Sequence, residues 1–300
     1  EGRVACVLQS GGVLVADATG GRQVATSWKS SLPEREARST TATAAATAPG
    51  GAPLVAVGTS SGSVYVWDVR CPPGKVAGFW RCAPPITLGA QPPSAHAFSP
   101  VTAVALSGGL ATPGAASAGG GMVLATGTQS GGVHAWDMRS SEPLLREHGA
   151  CARAVTSLGL APSSDTLVAG GGDWSVRTFR LSGGRAKDRV LVGHGGAVTG
   201  VSACADTSGR LHILSADETG ASRLWSMDCV GAGASQRTVA PSLGVGRGAH
   251  ASMQMLPAGD MGAISATTDG RVRAWHVHSD FDGPARVVAR GSMTLPHSVT

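Results

Sequence analysis

Short apolar runs recur along the chain, each followed by a small polar turn and then by a second run that alternates with period two. The pattern occurs as VACVLQSGGVLVAD (Val4–Asp17), VAVGTSSGSVYVWD (Val55–Asp68) and LATGTQSGGVHAWD (Leu124–Asp137), then as LVAGGGDWSVRTF (Leu167–Phe179), HILSADETGASRLW (His212–Trp225) and GAISATTDGRVRAW (Gly262–Trp275). Period-two alternation bounded by Ser, Gly and Asp predicts a β-hairpin at each site. In Val64-Tyr65-Val66-Trp67 both faces are apolar, as expected of a strand buried between neighbouring sheets. A short apolar segment precedes each of the last five hairpins, at Thr40–Pro49, Val101–Leu106, Ala154–Pro162, Ala197–Ala203 and Ala251–Pro257. A weaker segment follows four of the six, at Arg22–Trp28, Asp188–Val192, Gln236–Ala240 and Ala285–Ala289. Four strands per unit are therefore predicted. No helical period of 3.6 is sustained over ten residues, so the predicted class is all-β.

The position that closes each hairpin falls at Ala16, Trp67, Trp136, Phe179, Trp225 and Trp275, in steps of 51, 69, 43, 46 and 50 residues. A strand-built unit of roughly 40–50 residues ending near Trp-Asp is the signature of a propeller blade. The long step predicts an ordinary blade carrying two loop insertions, at 71–93 and 107–121, whose Pro- and Gly-rich composition is that of loops. Trp67-Asp68, Trp136-Asp137 and Gly193-His194 with the following Val198-Thr199-Gly200-Val201 resemble the WD-repeat (WD40-type) β-propeller family. The resemblance covers essentially the whole chain and implies a single propeller domain over 1–300. The chain starts inside a hairpin, and Pro296–Thr300 is similar to the start of an inner strand. Two arrangements stay open. Either His297–Thr300 supplies the strand missing before Val4 and six blades close, or the ring is a truncated seven-bladed one. The apolar edges that an open ring leaves favour the second.

Blades of this family are often braced by a hydrogen-bonded tetrad of His, Ser or Thr, Asp and Trp, because a buried carboxylate or indole N–H must find a partner. The resemblance implies a complete structural tetrad at His250, Ser265, Asp269 and Trp275. It implies a partial one at His194, Ser215 and Trp225, where Thr219 stands at the turn position and Asp217 sits two residues early. Trp136 keeps Thr126 and His96 with Ser130 in place of the acid, while the fourth hairpin keeps His148 and Asp173 but has Ala169 and Phe179.

Composition narrows the function classes. Hydrophobic residues are 42% of the 300, enough for a sizeable core, and charged residues only 14%, against about 25% in an ordinary soluble domain. The net charge of +5 comes from 21 Arg and 3 Lys that are scattered singly, so no nucleic-acid surface is predicted. Six cysteines without a C-x-x-C pair (Cys6, Cys71, Cys82, Cys151, Cys204, Cys229) argue against a zinc knuckle and for reduced thiols in an intracellular, cytoplasmic or nuclear protein. The uncharged stretch between Arg81 and Asp137 is broken by prolines and glycines and is not a membrane span.

Enzyme motifs find no supporting context. Gly58-Thr59-Ser60-Ser61-Gly62 matches G-x-S-x-G, but a nucleophile elbow needs a strand–turn–helix and here a second strand follows. Gly244–Gly248 is glycine-rich without the helix and spacing of a dinucleotide site. His276 and His278 share one strand face with no third metal ligand placed by sequence. No catalytic, cofactor or metal set is predicted, and the expected role is a non-catalytic scaffold that binds other proteins through propeller rim and central mouth. Asp68 with Arg70, and Asp137 with Arg139, stand in two W-D-x-R boxes that resemble those by which substrate receptors of cullin-RING ubiquitin ligases dock on a propeller adaptor. The plainer alternative is that each Arg pairs with its own Asp. A third reading follows Trp136–Pro143, whose layout is similar to the propeller of a class III phosphatidylinositol 3-kinase regulatory subunit.

Overall fold

The computed structural model describes residues 3–7, 12–17, 23–27, 42–47, 54–68, 70, 76–82, 99–110, 121–140, 142–161, 165–181, 189–205, 210–228, 237–240, 250–256, 261–268, 271–278 and 286–294. Among them every regular element is a strand, and all strands pair antiparallel in chain order. The first sheet joins β1 (Arg3–Val7), β2 (Gly12–Asp17) and β3 (Gln23–Ser27). The second holds β4 (Ala42–Thr47), β5 (Leu54–Thr59), β6 (Ser63–Asp68) and β7 (Gly78–Arg81). The third holds β8 (Val101–Leu110), β9 (Gly121–Thr128), β10 (Val133–Asp137) and β11 (Pro143–Glu147). The fourth comprises β12 (Val155–Ala161), β13 (Thr166–Gly171), β14 (Val176–Arg180) and β15 (Arg189–Leu191). The fifth comprises β16 (Val198–Ala205), β17 (Arg210–Asp217), β18 (Ser222–Asp228) and β19 (Arg237–Ala240), and the sixth β20 (His250–Leu256), β21 (Met261–Thr267), β22 (Arg271–His278) and β23 (Arg286–Thr294). The chain divides into two compact units, residues 1–110 with 116–150, and residues 111–115 with 151–300.

Two stretches expected as loop carry strand. Phe79 and Trp80 alternate exposed and half-buried along β7, which pairs with β6 from Ser63↔Arg81 to Val66↔Gly78, so the 71–93 insertion contains the outer strand of its sheet. The period-two signal is only four residues long and hidden among prolines. At the other insertion, β8 runs to Leu110 and pairs there with Gly121, leaving 111–120 outside the described residues. The outer strand β11, expected from the four-strand unit but not placed on any segment of the sequence, pairs along β10 from Val133↔Glu147. His297–Thr300 lies outside the described residues.

Within each unit, neighbouring sheets pack through aliphatic faces. In the first, Ala56, Val64 and Val66 of the second sheet meet Val101, Leu106, Leu124 and Trp136 of the third. In the second, Val168, Val176 and Leu191 meet Val198, Val201, Ile213, Trp225 and Met227. Each fully buried Val, Leu or Ile among them stabilises by about 1.5–3 kcal/mol relative to exposure. Close approach is set by glycine. A Cβ on Gly58 would lie 2.5 Å from Val101 Cγ1, and one on Gly170 would lie 2.6 Å from Val198 Cγ1.

The first strand of each four-stranded sheet also carries a bulge near its start, at Ala42/Ala44, Val101/Ala103, Val155/Ser157, Val198/Gly200 and His250/Ser252. In four of these the residue inside the bulge is a threonine. The bulge leaves that residue unpaired in the ladder, and its hydroxyl donates to the carbonyl of the second strand: Thr43 to Gly58 at 3.2 Å, Thr102 to Gly127 at 3.3 Å, Thr156 to Gly170 at 2.9 Å and Thr199 to Ala216 at 3.4 Å. Thr43 also bonds the carbonyl of Val101, and Thr156 that of Val198, each reaching the first strand of the next sheet.

Candidate functional site

The hairpin turns between the second and third strands concentrate the polar side chains of the sheets. After β17, Asp217 closes the turn with its own carboxylate. Its Oδ1 accepts from Thr219 N at 3.0 Å, Thr219 Oγ1 at 2.5 Å and Ala221 N at 3.0 Å. Its Oδ2 accepts from His194 Nδ1 at 2.9 Å and Gly195 N at 3.3 Å. His194 Nε2 lies 2.6 Å from Ser215 Oγ, which in turn accepts from Trp225 Nε1 at 2.7 Å. With His194 neutral the chain is directional: indole N–H to hydroxyl, hydroxyl to Nε2, Nδ1–H to carboxylate, every group satisfied. All four side chains are buried. Burial holds the His194 pKa below its ordinary value against the pull of Asp217. Burial pushes Asp217 the other way, but the hydrogen bonds from Thr219, His194 and Ala221 outweigh it and keep the carboxyl below the usual range.

In the first unit the same turn is made without charge. Thr59 Oγ1 accepts from Ser63 N at 3.2 Å, donates to Ser63 O at 2.8 Å and lies 3.0 Å from Ser61 Oγ. Thr128 repeats this with Gly132 N at 2.9 Å and Ser130 Oγ at 3.2 Å. The fourth sheet has Gly171 at that position, and Asp173 supplies the carboxylate from inside the turn, accepting from Ser175 N at 3.2 Å, Ser175 Oγ at 2.7 Å and Ala152 N at 2.8 Å. A Cβ on Gly171 would sit 2.3 Å from that carboxylate. Burial raises the Asp173 pKa, and the bonds from Ser175 and Ala152 with the Arg177 charge more than reverse it.

At the exit of the third strand, Asp68 and Asp137 each receive a folded-back arginine. Arg70 N and Nε donate to Asp68 Oδ1 at 2.9 and 3.0 Å, and its NH2 nitrogen donates to Oδ2 at 2.6 Å. Arg139 makes the same three contacts to Asp137 at 2.9, 3.0 and 2.6 Å. The guanidinium hydrogen bonds hold both carboxyls below their ordinary pKa. The arginines remain 69% and 54% exposed.

No family model matches the sequence, and no curated protein does. Solved structures match over nearly all of the chain. One described as "Crystal Structure of Mitotic Checkpoint Complex" aligns at TM-score 0.65 and 18% identity, covering 99% of this chain and 79% of that one. "Crystal structure of RRP9 WD40 repeats" aligns at 0.66 and 14%, covering 98% and 77%, and "Structure of U3-55K" at 0.65 and 15%, covering 98% and 78%. The chain has the WD40-type β-propeller fold.

In propeller terms, His194, Ser215 and Trp225, expected as a partial tetrad, form a four-membered network because Asp217, not the residue at 219, faces the histidine. The carboxylate leaves from the last residue of the strand and reaches both the turn and the preceding blade connection. Of the set expected to be complete, Ser265 is buried in β21. Asp269 and the side chains of His250 and Trp275 lie outside the described residues, as do His96, Gly244–Gly248 and the side chains of His276 and His278. His148 does not bond a turn acid: its ring stands edge-on to that of His134, centroids 5.5 Å apart. Thr126 faces Cys82, whose Sγ is 3.2 Å from its hydroxyl, and burial lifts that thiol to a pKa of about 11. Cys82, Cys151 and Cys204 are buried and form no disulfide. Gly58–Gly62 passes from β5 directly into the turn before β6, with no helix. Among the described residues no group of three or more His, Cys, Asp or Glu is placed to hold a metal, and no helix is long and apolar enough to cross a membrane.

Proposed function

We propose that this propeller is a non-catalytic scaffold that holds other proteins in a multiprotein complex, engaging them through its blade rims and central mouth. The observation that carries this is the fate of the Asp–His–Ser constellation that the described residues form at Asp217, His194 and Ser215. Ser215 is buried and its oxygen already accepts the Trp225 indole, so the arrangement braces a blade and offers no accessible nucleophile. Rigid strands presenting turns and connections at their ends suit macromolecular recognition. The buried, reduced thiols of Cys82, Cys151 and Cys204 support an intracellular setting, cytoplasmic or nuclear. Affinity capture of the full chain with mass spectrometry is expected to retain a defined set of proteins; retention of none beyond a bare-matrix control overturns the proposal.

A second reading is favoured by the twin Asp68–Arg70 and Asp137–Arg139 forks, which repeat one geometry on two consecutive blades with both guanidiniums open to solvent. It makes the chain a substrate receptor docking on the adaptor of a cullin-RING ubiquitin ligase. Arg70→Ala combined with Arg139→Ala is expected to abolish co-purification of that adaptor with the melting temperature unchanged, since exposed ion pairs contribute little. Undiminished co-purification rejects it.

A further inference from the structure

Four hairpin turns of the described residues share one backbone. In each, the N–H at the fourth position returns to the carbonyl at the first: Gly62 to Thr59 at 3.1 Å, Gly131 to Thr128 at 3.0 Å, Trp174 to Gly171 at 3.2 Å and Gly220 to Asp217 at 3.1 Å. That fourth residue has φ of 75°, 84° and 87° in the three glycines and 69° in Trp174. Glycine adopts this left-handed conformation freely, whereas a bulky side chain there is strained. The fourth sheet thus carries the largest side chain where its neighbours carry none, and leaves it 52% exposed. Among the described residues the indole makes no hydrogen bond or ring contact, and half of its surface stays open. Strain held by a well-bonded turn is where function is to be sought.

The surroundings say what would cover it. Leu191 pairs with Val176 in the β14–β15 register, which brings the next residue, Val192, beside the same turn, and Val192 is 72% exposed. On the other side, Gly172 N donates to Ala154 O at 2.9 Å, and Arg153 Cβ is 3.4 Å from where a Gly172 Cβ would be. Past Val192, the Arg223 guanidinium lies 3.4 Å from the Cβ position of Gly193. The nearby carboxylates already have donors: Asp173 is held by Ala152 and Ser175 with Arg177 close by, and Glu218 accepts from Ala197 N at 2.9 Å. Arg153 has no ion pair among the described residues. The surface therefore presents two uncovered apolar groups beside cationic ones.

We infer that the Trp174 turn is a protein-docking site, with the indole and Val192 seating an apolar side chain of the partner and Arg153 and Arg223 receiving its carboxylates, so that the ligand is an acidic segment bearing a large apolar residue. This rests on the scaffold reading above. Two or three dispersed arginines are too few for a phosphate backbone, whereas a Trp beside Arg is the composition of a protein hot spot.

The test uses the full chain and synthetic twelve-residue peptides that combine Asp and Glu with one Leu, Phe or Trp, a matched set with Lys in place of the acids, and a twelve-nucleotide oligouridylate. The acidic set is expected to contain binders by fluorescence anisotropy. Trp174→Gly is expected to weaken the tightest at least tenfold, and Arg153→Glu at least threefold. Because Trp174→Gly also relieves the left-handed strain, its melting temperature is expected to be no lower than that of the parent, which separates lost contact from lost fold. No binder among the acidic peptides, equal binding of the Lys set, or unchanged affinity in Trp174→Gly overturns the inference, as does Trp174-dependent binding of the oligonucleotide alone. In affinity capture, a parent and a Trp174→Gly chain that retain the same proteins remove this site and leave the scaffold standing; a parent that retains none removes both.

Discussion

The turn after β9 and the turn after β17 trace the same backbone with different chemistry. Thr128 closes the first with a neutral hydroxyl that serves its own turn, contacting Gly132 and Ser130. Asp217 closes the second with a carboxylate whose other oxygen leaves the turn to bind His194 and Gly195, more than twenty residues earlier. One side chain thereby ties hairpin, preceding connection, second strand and third strand together. A hydroxyl suffices to finish a local turn. A charge is needed where several distant donors converge, and it brings obligations, because a buried carboxylate or imidazole left without its partner is costly.

The contrast is broken most sharply at the acid itself. Asp217→Ala strands the His194 N–H and removes the acceptor of the turn amides of Thr219 and Ala221, and is expected to cost about 3 kcal/mol in chemical denaturation. Thr128→Ala at the equivalent place, which affects only a local turn, is expected to cost about 1 kcal/mol; comparable losses would show the carboxylate to be no more than a turn cap. Next in size is Trp225→Phe, which deletes the donor to Ser215 in a buried network and is expected to cost about 1–3 kcal/mol. Trp136→Phe, in an apolar cluster with His134 stacked on the ring, should cost less, and the reverse ranking would place the network's contribution elsewhere.

The mildest effect comes from protons alone. Burial lowers the folded-state pKa of His194 below the ordinary 6.5, so the folded chain binds fewer protons than the unfolded one just below that pH. The stability this contributes is full above 6.5 and is lost as pH falls through the lowered value. Asp217, also lowered from 3.8, acts with the same sign but only at more acid pH. Melting curves between pH 7 and 5 are expected to fall for the parent and to flatten in His194→Gln; parallel slopes would assign the acid sensitivity to other groups.

The hairpins were legible because period-two runs and turn residues are local signals. So were the residues that meet at Trp225, since Gly193-His194 and Ser215 stand at recognisable spacings. What stayed hidden depended on geometry the spacing does not carry. Asp217 stands two residues early along the chain, yet as a strand's last residue it serves both the turn ahead and the connection behind. Gly78–Arg81 was lost because four alternating residues among prolines read as loop. The strain at Trp174 was written in the sequence all along, as the one non-glycine at a position held by Gly62, Gly131 and Gly220, but only aligned turns reveal it. In the forks of Asp68 and Asp137 each arginine bonds its own aspartate, a pairing the W-D-x-R spacing allows for.

The bulge threonines have a consequence for how the molecule comes apart. Thr43 and Thr156 each fasten two consecutive blades with one hydroxyl, next to a glycine that lets the following valine nest against it. Slow amide exchange should therefore be shared across such neighbours, and the smallest piece able to open on its own is a couple of vanes joined by that rivet, since prising one loose bares the carbonyl of the next.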